Sequence, residues 1–67
     1  MKEFVSFEFT DQSKVIQLFV TSLPRAGEYI RVKDPEEKSY GGKVKRVLRQ
    51  YSSDGSMVTI VEVMRCD

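Results

Sequence analysis

The chain has 67 residues, 40% apolar and 31% charged, with a net charge of +1. That balance excludes a disordered chain and a multidomain one, and a domain this small buries only about 60% of the surface its unfolded form exposes. One cysteine, Cys66, and no histidine exclude an intrachain disulfide, the common zinc geometries and every catalytic arrangement built on an imidazole.

The N-terminal segment alternates: Val5, Phe7 and Phe9 fall on one face of an extended chain, with Phe4, Ser6 and Glu8 on the other, which predicts a first strand. It carries acidic residues and no apolar run of the signal-peptide kind. Thr10-Asp11-Gln12-Ser13 is a polar turn, and the β-rich run 14–21 predicts a second strand paired to the first as a hairpin, with Phe4, Phe7, Phe9 and Phe19 supplying much of the core. Pro24 and Gly27 then break the pattern.

Residues 28–33 alternate again, with Ile30 and Val32 inward and Tyr29, Arg31 and Lys33 outward, giving a third strand. The charged segment from Asp34, with Pro35, predicts an exposed, mobile loop running through to Tyr40-Gly41-Gly42.

Residues 43–51 match two templates. Val44, Val47, Leu48 and Tyr51 fit a helical face, so an α+β fold with a helix at 43–51 is the alternative. The Asp54-Gly55 turn and the β-branched run 57–64 instead predict a hairpin of two strands, with a bulge near Lys45-Arg46 that lets Val44 and Val47 both face the core.

The fold expected is therefore all-β: one domain over 1–67, a five-stranded, strongly bent antiparallel barrel of the Src-homology-3-like or OB-like kind. The longest uncharged apolar stretch, 57–61, is far short of the roughly 20 residues a membrane helix needs. A cytoplasmic protein is expected, with no membrane contact, no metal and no cofactor. Cys66 is expected to be a terminal thiol in a reducing compartment.

From Gly27 to Leu48 the chain resembles the KOW motif of ribosomal proteins and transcription elongation factors: Gly27-Glu28, apolar Ile30 and Val32, a loop, then Gly42, Val44, Val47 and Leu48. Pro35 and Ser39 stand where that motif usually carries glycines. The resemblance implies a strand-loop-strand unit of a small barrel and contact with RNA or a ribonucleoprotein. The opening Leu23-Pro24-Arg25-Ala26-Gly27-Glu28 also resembles small proteins of phages and other mobile elements.

No catalytic set emerges. Glu28, Asp34, Glu36 and Glu37 fall mainly in the charged loop, where they are solvated rather than positioned for acid/base work. Charge placement is more informative, because residues 25–49 hold eight of the eleven basic side chains and only four of the ten acidic ones. Arg31, Lys33, Lys43, Lys45, Arg46 and Arg49, with Tyr40 and Tyr51, are the candidate binding residues. Cations neutralise phosphates and tyrosine faces stack bases in grooves for single-stranded nucleic acid. A non-enzymatic module binding nucleic acid or a ribonucleoprotein is the expectation. The alternative is a phage-type adaptor or inhibitor docking on a host protein through a strand edge or the 34–42 loop. A free strand edge would also invite a homodimer.

Overall fold

A computed structural model describes residues 2–65, so the Cys66 thiol lies outside the described residues. The five alternating runs become five strands: β1 (Glu3–Phe9), β2 (Lys14–Val20), β3 (Tyr29–Lys33), β4 (Ser39–Tyr51) and β5 (Met57–Met64). They form one sheet in the order β2-β1-β5-β4-β3, bent into a nearly closed barrel.

Two hairpins build most of it. β1 and β2 pair antiparallel across a short 3-10 turn, Thr10–Gln12, which ends at Ser13 with φ 50°. β4 and β5 pair antiparallel across the expected Asp54-Gly55 turn, where the Asp54 carboxylate accepts hydrogen bonds from the Ser56 backbone N–H and hydroxyl at 2.9 and 2.7 Å. The hairpins meet along β1 and β5, and there the all-antiparallel expectation is corrected, because these two strands run parallel. Alternation assigns a residue to a face without fixing the direction of the neighbouring strand. The parallel register still sets inward Val5, Phe7 and Phe9 beside Thr59, Val61 and Val63.

β4 is thirteen residues long and serves two neighbours: Ser39–Lys43 pair with β3, and the stretch from Lys43 to Tyr51 pairs with β5. Strand partners replace the helical alternative over 43–51. A register shift between Val44 and Arg46 lies where the bulge was expected. Val44 is 1% exposed, and Val47 packs against the core from its margin.

The expected 34–42 loop is much shorter than the charge pattern implied, since Ser39–Gly42 already belong to β4. What remains is a turn organised by Asp34, whose buried carboxylate accepts the backbone N–H groups of Glu36 and Lys38 at 3.0 and 2.8 Å. Glu37 takes a positive φ of 65° to close it.

The buried core comprises Val5, Phe7, Phe9, Ile16, Val32, Val44, Val61 and Val63, with Leu18, Val20, Leu23, Ile30, Tyr40 and Val47 packed around it. Each fully buried aliphatic or aromatic side chain stabilises the fold by about 1.5–3 kcal/mol.

Candidate nucleic-acid interface

Alternation along β3 turns Tyr29, Arg31 and Lys33 outward, and register sets Lys43, Gly41 and Ser39 of β4 beside them in that order. Arg31 therefore stands next to a residue without a side chain. Tyr29 is 68% exposed, and the Lys43 ammonium lies 5.9 Å from its ring centroid, within cation–π range.

Beside these strands lies an open cleft of about 710 Å³, whose lining includes Tyr29, Arg31, Ser39, Tyr40, Gly41 and Gly42. Gln12, from the first turn, and Arg65, just beyond β5, complete its wall. Among the described residues, Arg31 and Lys33 have no carboxylate partner.

The structure divides the eight predicted residues into groups, with Lys45 exposed at the register shift between Val44 and Arg46. Arg31, Lys33 and Lys43 share the outward face of β3 and the first third of β4. Tyr40 lines the cleft but does not stand on that face: it pairs with Val32, packs its ring 5.7 Å from that of Phe9, and carries the Lys14 ammonium 5.5 Å above it. Its ring belongs largely to the core margin.

Arg46 is engaged by Glu62 in a two-point ion pair at 2.8 and 3.2 Å. The hydrogen bond and then the charge of Glu62 push the Arg46 guanidinium further above its usual range. The Glu62 carboxyl is held below its usual value, chiefly by the hydrogen bond from Arg46, with smaller help from the charges of Arg46 and Lys45. Arg49 lies further along β4, 3.7 Å from Glu3, whose carboxylate also accepts a hydrogen bond from buried Thr59. Tyr51 is exposed beside the distal turn, opposite Met57. Sequence proximity thus overstated the size of the basic surface.

Tyr29, Gln12 and Arg65 are additions. Tyr29 was legible, because the alternation that turns Arg31 outward turns Tyr29 outward too. Gln12 and Arg65 reach the cleft only through tertiary packing, in which the Asp11 carboxylate accepts the Arg65 backbone N–H at 3.1 and 2.9 Å.

The arrangement offers cations and the exposed ring of Tyr29. Of the carboxylates nearest it, Asp34 is committed to its turn and Glu28 accepts the Arg25 backbone N–H. Among the described residues no cluster of three or more His, Cys, Asp or Glu could hold a metal, and no helix is long and apolar enough to cross a membrane. No protein family, curated protein or solved structure matches the chain.

Proposed function

We propose that the protein is a non-enzymatic binding module that takes single-stranded nucleic acid, free or within a ribonucleoprotein, along β3 and the start of β4. The observation carrying this is the cluster of Arg31, Lys33 and Lys43, without carboxylate partners among the described residues, beside the exposed ring of Tyr29. The cations would neutralise phosphates, the Tyr29 ring would stack on a base, and Gly41 would let the strand approach the protein backbone. Of the KOW-like residues, Ile30, Val32, Gly42, Val44, Val47 and Leu48 fall on β3 and β4, with Gly27-Glu28 just before β3.

Fluorescence anisotropy with mixed-sequence single strands tests this between about 50 and 200 mM salt. Affinity should fall as salt rises, and Arg31→Ala should reduce the log–log salt slope by about 0.7, one phosphate contact on a single strand. Tyr29→Ala should weaken binding by about 1–3 kcal/mol. Arg49→Ala, remote and beside Glu3, should leave binding unchanged. Absence of salt-sensitive binding overturns the reading.

A second reading, docking on a host protein through a strand edge, is favoured by a groove of about 460 Å³ lined by apolar residues of both edge strands, among them Leu18, Val20, Ile30 and Val32. Glu28, Arg31 and Lys33 also line it, so only the contacts to its apolar part would persist at the higher salt. For docking through the 34–42 segment, only the short turn from Asp34 to Lys38 remains available.

A further inference from the structure

The face of the sheet formed by β2, β1, β5 and the distal half of β4 is unusually apolar for an outward surface. Phe19 is 64% exposed and Phe4 42%, and their rings pack in a tilted arrangement across the β1–β2 pair, with centroids 5.1 Å apart and planes at 58°. Register continues the patch sideways: Ile60 lies beside Ser6 and Leu48 beside Ile60, with Val58 one outward step further along β5. Ser6 is nearly covered, and its hydroxyl accepts a hydrogen bond from the Gln17 amide at 3.0 Å.

The outward positions along β1, extended back to the exposed residue before it, run Lys2, Phe4, Ser6, Glu8. Opposite charges therefore sit at equal distances on either side of an uncharged centre. A surface with that pattern is complementary to itself under a two-fold axis. The basic face of β3 and β4, with Arg31, Lys33 and Lys43, repels a copy of itself.

We propose that this face is a self-association surface on which a second copy of the chain packs sheet to sheet. β1 of one copy crosses over β1 of the other in the opposite direction. Each Phe4 ring then settles over the hydrogen-bonded Ser6–Gln17 pair of the second copy, and each Lys2 ammonium faces the other copy's Glu8 carboxylate. An exposed patch of this kind offers a few hundred Å² of apolar surface, below the roughly 800 Å² per partner of a standard interface. The dimer is consequently weak and depends on concentration.

Sedimentation equilibrium of the full chain, from micromolar to millimolar concentration, tests this. The wild type should show a reversible monomer–dimer equilibrium. Phe19→Asp, at an exposed position and checked for folding by circular dichroism, should weaken dimerisation at least about tenfold. Glu8→Lys should weaken it as well, and adding Lys2→Glu to the same chain should restore it. A monomer throughout the range, a dimer indifferent to Phe19→Asp, or a charge swap that fails to restore association would each overturn the proposal.

Discussion

Gly42 stands one residue before Lys43, where β4 leaves β3 for β5. It pairs with Ile30 on one side, and a Cβ added to it would overlap the Met64 carbonyl on the other. Backbone atoms at the end of β5 cannot move aside without opening the Lys43–Met64 pair, so Gly42→Ala should destabilise the protein by about 1–3 kcal/mol. At Gly41 a Cβ would meet only the Ile30 carbonyl oxygen, at 3.2 Å, and Gly41→Ala should cost less. Urea unfolding of both variants checks the order through their midpoints, with the slopes unchanged; a costlier Gly41→Ala would contradict the crossing. In the sequence this Gly-Gly pair looks like a turn into a strand. Its close approach is instead to the chain's own backbone at Met64, remote in sequence and thus invisible to any local pattern.

The β4–β5 hairpin joins two legible features to one that was not. The bulge inserts one residue between Val44 and Val47, which replaces a spacing of two by a spacing of three and so imitates one turn of a helical face. That is why the same residues matched both templates, and why the Asp54-Gly55 turn was needed to choose between them. The resumption of pairing at Ser39 was illegible, because Ser39-Tyr40-Gly41-Gly42 has little strand preference of its own and takes strand form by pairing with β3. The same hairpin carries two carboxyls held below their ordinary values: Glu62 by its hydrogen bond from Arg46, and Asp54 by its hydrogen bonds from the Ser56 hydroxyl and backbone. A depressed carboxyl contributes stability that is complete above its unfolded value and fades as pH falls toward the folded one. Thermal stability should therefore begin to decline as acidification passes the ordinary glutamate and aspartate values of 4.5 and 3.8. Melting temperatures measured from neutral to acid pH should show a shallower decline in the double variant Glu62→Gln, Asp54→Asn. An unchanged acid profile would mean that these contacts contribute nothing to folding.

Across the whole molecule, strand length explains why the candidate site shrank. A strand advances about 3.3 Å per residue, so the basic residues from Lys43 to Arg49 are strung over about 20 Å of β4 rather than gathered on one patch. Those near β3 join Arg31 and Lys33, whereas Arg46 and Arg49 meet carboxylates of β5 and β1. The core shows the converse, because period-2 alternation placed most inward residues correctly despite a reversed strand direction. The expectation that all four phenylalanines supply the core is corrected, since only Phe7 and Phe9 are buried and Phe4 and Phe19 lie on the outer face. Phe9 has no exposed surface and belongs to the buried core, while Phe19 faces outward. Removing a buried phenylalanine ring costs about 3–5 kcal/mol, against a total stability of about 3–10 kcal/mol for a domain of this length at the usual 0.05–0.15 kcal/mol per residue. Phe9→Ala should consequently lose most or all of its cooperative unfolding transition in urea. Phe19→Ala, measured under dilute, monomeric conditions, gives up little more than its ring contact with Phe4 and should shift the midpoint by less than the equivalent of about 1.5 kcal/mol. Similar losses at the two positions would refute the assignment of inner and outer faces on which both the basic site and the dimer surface depend.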